Sequence, residues 1–193
     1  ADLLRAELEK EIGHLYRTKC CLCGSEDADI KYFLWVKTIV CQGCRKTFDL
    51  FPGYLLSSDA RHPKNVFVCP SCGQLSDTTD RKNPGRCCYC GDSLVVDGPA
   101  ARNRCRCPHC GAENRFPNPS LGPPTHRLFA IEYHCPTCKS RHDGRFFKAP
   151  DDQDIARVTE SEKRWSTTRP RFVPDDEIPS GDETNRLHRW GYR

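Results

Sequence analysis

The opening stretch ADLLRAELEKEIGHLY places Leu4, Leu8, Ile12 and Leu15 at steps of three and four, with charged residues between them. This pattern predicts an amphipathic helix within residues 1–18. So short a helix is marginal alone, so its apolar stripe needs a partner surface, either in the cysteine-bearing remainder or outside the chain. From residue 19 to about 148 the pattern changes to short apolar, β-branched runs: IKYFLWVKTIV, NVFV, SLVV and LFAIEYH. Segments rich in Gly, Pro, Asn and Asp separate them, and the expected elements are strands of small antiparallel hairpins. Residues 149–181 are polar, proline-bearing and of mixed charge, which reads as a linker or extended arm. The end, DETNRLHRWGYR at 182–193, can begin another helix with Asp182 as N-cap. That helix has no ending and the chain has no methionine, so the sequence reads as a piece of a longer protein.

Composition narrows the picture. The hydrophobic fraction of 37% in 193 residues includes 15 cysteines, so aliphatic and aromatic side chains are too few for one large core. Chains in that position are stapled by disulfides or by metal. An odd cysteine count argues against a closed disulfide framework. Charges at Glu7, Glu9, Lys10 and Glu11 interrupt any export signal, and no run is long enough to span a membrane. The expected setting is cytoplasmic and reduced, where cysteines bind metal or do redox chemistry.

Twelve cysteines form six CxxC knuckles: Cys20/Cys23, Cys41/Cys44, Cys69/Cys72, Cys87/Cys90, Cys107/Cys110 and Cys135/Cys138. Gly24, Gly73, Gly91 and Gly111 follow four of them. Two intervening residues let a tight turn aim both sulfurs at one ion, and glycine supplies the positive φ that closes the turn. A tetrahedral zinc ion needs two knuckles, so twelve ligands make three four-thiolate sites. Each contributes on the order of 10–16 kcal/mol of apparent binding energy, enough to stand in for the missing core. The fold class expected is a small, metal-bound, mainly β array of zinc-ribbon hairpins with an N-terminal helix and an extended C-terminal arm. Pairing in chain order gives spacers of 17, 14 and 24 residues, which hairpins can span. A thioredoxin-like redox role wants a lone CxxC beside a βαβ pattern, and iron is a minor alternative metal.

Three cysteines are left over. Cys21 and Cys88 fall inside knuckles and Cys105 just before one, and each reads as a small buried group or a sulfur near the metal sphere. His109, His134 and His142 stand near knuckles but read as surface residues. Twelve thiolates with three divalent ions bring the formal charge of +4 down to about −2. Residues 61–148 nevertheless hold 14 Lys and Arg against 7 Asp and Glu, with clusters RKNPGR, ARNRCR and KSRHDGR. Phe116, Phe129, Tyr133, Phe146 and Phe147 are interleaved. Either this is a nucleic-acid surface, or the cations balance the metal centres and the rings fill hairpin cores.

The phrases EKEIGHLY (9–16), YFLWVKTIVCQGC (32–44) and IPSGDETNRLHRWGYR (178–193) resemble the zinc-ribbon-containing, adenine-specific DNA methylases. The resemblance implies a zinc-binding insertion in a SAM-dependent DNA adenine-N6 methyltransferase, with DNA as partner and a catalytic domain binding SAM outside this chain. No DPPY- or NPPY-type tetrapeptide is present, the nearest string being GPPTH at 122–126, and no glycine-rich SAM loop follows a strand. No catalytic residue carries over. The resemblance also suggests another pairing: Cys41/Cys44 with Cys69/Cys72, Cys87/Cys90 with Cys107/Cys110, and Cys20/Cys23 with Cys135/Cys138. Chain-order pairing closes shorter loops and is the expected arrangement. A stand-alone zinc-ribbon module binding nucleic acid or protein is the alternative function.

Overall fold

A computed structural model describes residues 2–60, 63–118, 122–141, 146–169, 176–190 and 192. The chain is small and mainly β, with an N-terminal helix. Helix α1 (Asp2–Ile12) runs into a 3-10 turn (Gly13–Tyr16) and strand β1 (Arg17–Thr18). Of the predicted stripe only Leu15 is buried; Leu4 and Leu8 face solvent and Ile12 is half-buried. Polar contacts hold the helix instead. Arg17 of β1 pairs with Glu9 and with Asp29, and the backbone carbonyl of Glu11 accepts from Arg164 at 2.9 Å.

The scaffold is one long antiparallel pair. Strand β2 (Ala28–Val40) lies against β10 (Thr125–His134), with Thr38 opposite Thr125 and Asp29 opposite His134. Strand β1, β3 (Thr47–Asp49) and β11 (Phe146–Lys148) complete the five-stranded sheet. The two longest apolar runs of the sequence therefore pair with each other across the chain and do not close local hairpins. The ladder carries two register shifts, the first of which leaves Phe129 unpaired. A bulge redirects its side chain, and Phe129 packs edge-on against Phe51 with ring centroids 4.9 Å apart.

Two small three-stranded sheets fill the interval. One is β4 (Leu55–Ser57), β5 (Asn65–Val68) and β6 (Leu75–Thr78); the other is β7 (Ala100–Ala101), β8 (Arg104–Arg106) and β9 (Glu113–Arg115). The SLVV run is no strand: Ser93 makes a single bridge to Arg86. Interior residues divide into three small cores. The first joins Ile30, Leu128, Ile131, Tyr133 and Phe146; the second Val36, Phe51, Tyr54, Phe67 and Leu94; the third Phe48, Leu50 and Ala100. Each core contains cysteines of one cluster, as expected of a chain too poor in apolar residues for a single interior.

The segment expected to be a linker carries a 17-residue helix, α2 (Asp152–Thr168). Its start is a reciprocal capping box: Asp151 accepts from the Asp154 N–H while Asp154 accepts from the Asp151 N–H. Beneath it lies a buried ionic group. Lys148 Nζ stands 2.6 Å from Asp151 and 2.8 Å from Asp154 and donates to Thr18 at 3.1 Å. Thr18 in turn donates to Asp154 at 2.7 Å. Helix α3 (Asn185–Arg189) follows, with Thr184 at its N-cap, two residues beyond the expected Asp182.

Candidate metal centres

The six knuckles meet in three groups: Cys20, Cys23, Cys135 and Cys138; Cys41, Cys44, Cys107 and Cys110; Cys69, Cys72, Cys87 and Cys90. Within each group all four sulfurs lie within 4.8 Å of one another. All twelve expected residues are brought together, but neither expected pairing holds in full. Only the third group joins neighbours in chain order, and only the first and last knuckles meet as the resemblance suggested. The second group joins Cys41/Cys44 to Cys107/Cys110, so the three pairings are nested.

The nesting follows from the scaffold. Strand β2 begins just after the first knuckle and ends at the second. Because β10 runs antiparallel, its end delivers Cys135 beside the first knuckle, and its start leaves the β7–β9 sheet beside the second. Closing roughly 110 residues in place of about 20 costs only about 1.5 kcal/mol more. Burying each large side chain of the β2–β10 ladder contributes about 1.5–3 kcal/mol, and Ile30, Val36, Leu128, Ile131 and Tyr133 are all buried there. The sheet outweighs loop length.

Five knuckles share one turn. The residue after the second cysteine donates its N–H to the first cysteine's carbonyl at 2.9–3.0 Å, in Gly24, Arg45, Gly73, Gly91 and Gly111. All five have φ between 62° and 79°. The sixth knuckle is different: Cys138 sits in a 3-10 turn (Pro136–Arg141) and donates to the Cys135 carbonyl at 3.1 Å.

Cross-knuckle sulfurs stand 3.6–3.9 Å apart: Cys23 to Cys135 at 3.6, Cys20 to Cys138 at 3.9, Cys41 to Cys110 and Cys44 to Cys107 at 3.7, Cys69 to Cys90 and Cys72 to Cys87 at 3.6. A disulfide needs about 2.05 Å. Four thiolates about 2.3 Å from a central ion form a tetrahedron with edges of about 3.8 Å. Each group can therefore hold one metal ion in a closed four-sulfur shell.

Each group also has one buried side chain aimed at the first cysteine of a knuckle. The Tyr133 hydroxyl donates to Cys20 Sγ at 3.8 Å, the Asn114 amide to Cys41 Sγ at 3.6 Å, and the Ser76 hydroxyl to Cys87 Sγ at 3.5 Å. Reading the sequence misses these donors; their signal is a polar group on an otherwise inward-facing strand position next to a knuckle. Burial pushes the Cys20 thiol up, but the N–H groups of Cys23 and Leu22 and the Tyr133 hydroxyl outweigh it and bring it down to about 6. At Cys41 the Cys44 N–H, against burial and with the Asn114 amide, brings the thiol down to about 6. At Cys87 burial again opposes, and the Ser76 hydroxyl with the Cys90 and Tyr89 N–H groups brings it to about 6. Burial, then the neighbouring sulfurs, pushes Cys72 and Cys138 up to about 12. Four thiolates this close cannot all ionise together without a cation between them, so metal uptake expels protons.

The spare cysteines divide. Cys105 is buried in the third core, and desolvation pushes its thiol up to about 11. Cys21 and Cys88 are exposed and so are not small buried groups, while Cys88 keeps the other expected placement, a sulfur beside the metal sphere. Cys21 contributes its N–H to the Tyr133 hydroxyl at 2.9 Å, and Cys88 Sγ lies 3.4 Å from Ser76 Oγ. His109 is exposed, its ring 3.4 Å from the Thr47 carbonyl, and His134 is half-buried at the end of β10. His142 lies outside the described residues.

The aromatics among the basic clusters mostly serve the cores. Tyr133 and Phe146 stack at 5.3 Å, and Phe129 belongs to the second core. Among the described residues no helix is long and apolar enough to cross a membrane. Compared with known proteins, the chain matches no family model, no curated protein and no solved structure.

Proposed function

We propose that the chain is the zinc-binding region of a SAM-dependent DNA adenine-N6 methyltransferase. Three zinc ions hold a zinc-ribbon array that orients DNA against a catalytic domain outside the chain. The observation that carries the metal part is the set of three four-cysteine groups with tetrahedral spacing, each at the edge of its own small core, with some of its cysteines buried there and at least one exposed. Thiolate sets of this shape suit zinc, whose role here is structural: with four protein ligands no position is open for a substrate. The methyltransferase part rests on the likeness of residues 9–16, 32–44 and 178–193 to that family.

Two measurements test the reading. Elemental analysis of the purified chain returns about three zinc ions, lost together with the fold on chelation. The product of the complete surrounding reading frame transfers methyl groups from labelled SAM to adenine in DNA, and does so poorly when Cys41 and Cys107 are both replaced by serine. A product that neither binds SAM nor methylates DNA overturns the methyltransferase reading. It would leave a free-standing zinc-ribbon module, favoured by the closure of all three groups within residues 20–138.

A further inference from the structure

Beside the second cysteine group, helix α3 and the β8–β9 hairpin line an open cleft of about 680 Å³. Arg104 and Arg115 reach it from the hairpin, Arg186 and Arg189 from α3, and Phe116 and Trp190 form its wall. All four arginines are exposed, and no acidic side chain among the described residues lines the cleft. Of the four, Arg104 has a carboxylate within reach among the described residues, Glu113 at 3.9 Å, an exposed pair that salt screens readily. A zinc ion with four thiolates would leave the neighbouring group at about −2. Four guanidinium groups exceed what balancing that charge requires.

The wall is not generic. Phe116 and Trp190 lie with ring centroids 5.9 Å apart, and Lys37 Nζ sits 4.1 Å over the Trp190 ring, fixing the indole in place. Behind Phe116 and Trp190 opens a slot of about 170 Å³ lined by Ile39, Val40, Pro123 and Pro124. Cationic forks able to hold phosphate oxygens in pairs thus stand next to apolar, aromatic surface. A polyanion that also carries flat apolar groups matches both halves, and in a duplex those faces are hidden by stacking.

We propose that this cleft binds a single DNA strand, its phosphates on Arg104, Arg115, Arg186 and Arg189 and a base or sugar against Phe116 and Trp190. The assignment rests on the DNA reading given above and locates where the strand lies. It also makes the C-terminal segment part of the binding surface, since α3 supplies half of the site's charge.

The test uses the full zinc-loaded chain and fluorescence anisotropy of a labelled single strand of about twenty nucleotides, at salt from about 50 to 200 mM. Arg186→Ala/Arg189→Ala weakens binding at low salt by about tenfold or more. It also lowers the slope of log K against log salt by about 1.4, two contacts at about 0.7 each. Arg104→Ala/Arg115→Ala, on the other wall, does the same. Arg81→Ala/Lys82→Ala, an exposed pair outside the cleft, leaves affinity nearly unchanged, and all three variants keep their zinc. Equal losses in cleft and control variants, or none in the cleft variants while the unaltered chain binds, overturn the cleft and leave the DNA reading standing. No binding by the unaltered chain at the lowest salt overturns both. Displacement of the strand by an acidic peptide of equal charge, at equal concentration, overturns the choice of nucleic acid as ligand.

Discussion

At the residue scale, the knuckle turn separates ligands from bystanders. Cys21 and Cys23 stand two positions apart in sequence and both are exposed, but only the Cys23 sulfur faces another knuckle, 3.6 Å from Cys135. Cys21→Ser therefore retains full metal stoichiometry, whereas Cys23→Ser loses one ion, as counted by elemental analysis. Arg45 provides a second test. It occupies the turn position held by glycine in four knuckles, at φ 62°, where an L side chain costs on the order of 1 kcal/mol. Arg45→Gly should raise stability by about 0.5–1 kcal/mol, read as a higher midpoint in thermal or denaturant unfolding of the metal-loaded chain. The twelve ligands are legible in the sequence because CxxC spacing is itself the geometry of the site. The donors Tyr133, Asn114 and Ser76 are not, because they reach their sulfurs through strand pairing that no local pattern reports.

At the scale of elements, the buried group under α2 is the sensitive joint. Lys148 and Asp154 are 6% and 1% exposed and tie β11, β1 and the start of α2 together. Removing one partner strands the other's charge in the interior, so Lys148→Ala should destabilise by about 3–5 kcal/mol in denaturant unfolding. Its pH dependence has a definite sign. Burial opposes ionisation at Asp151, but Lys148 and the Asp154 N–H overcome it and hold the carboxyl below its ordinary value. Its contribution is present above about pH 4, the unfolded value, and is lost as pH falls through the lower folded one. Lys148 is raised by its two carboxylates against burial, so its share persists until pH rises past the ordinary lysine range. Denaturant unfolding followed down the acid range, comparing Asp151→Asn with the unaltered chain, should show the difference closing below pH ~4. The start of α2 does have a signal in the Asp151–Asp154 spacing, which the linker reading of residues 149–181 passes over. Its predominantly polar body, with Ile155, Val158 and Trp165 as its large apolar residues, conceals the rest.

At the scale of the molecule, three small cores and three four-cysteine groups share the load. Removing one group should subtract without erasing: Cys135→Ser lowers the metal count from three to two, and the third group, which needs only neighbouring knuckles, keeps its ion. A chain that lost all three ions on this single change would show that the groups stand or fall together. Three of the four strand runs, SLVV being the exception, and the number of groups are foreseeable from the sequence, while their partnership is not. Pairing is decided by the β2–β10 ladder, a contact between segments roughly ninety residues apart whose burial outweighs the slow growth of closure cost with length. For the same reason the N-terminal stripe reads as a packing face, yet Leu4 and Leu8 remain open.

The nested order also sets a timetable for biosynthesis. The third group can close as soon as Cys90 leaves the ribosome, the second waits for Cys110, and the first for Cys138. Cys20 and Cys23 are made first and served last. During that interval they are bare thiols in a growing chain, open to a wrong liaison with Cys41/Cys44, whose 17-residue spacer makes them a workable but misplaced partner. Synthesis that pauses before Cys135 should therefore trap a metal-bound misfold that later has to exchange its ligands to reach the native arrangement.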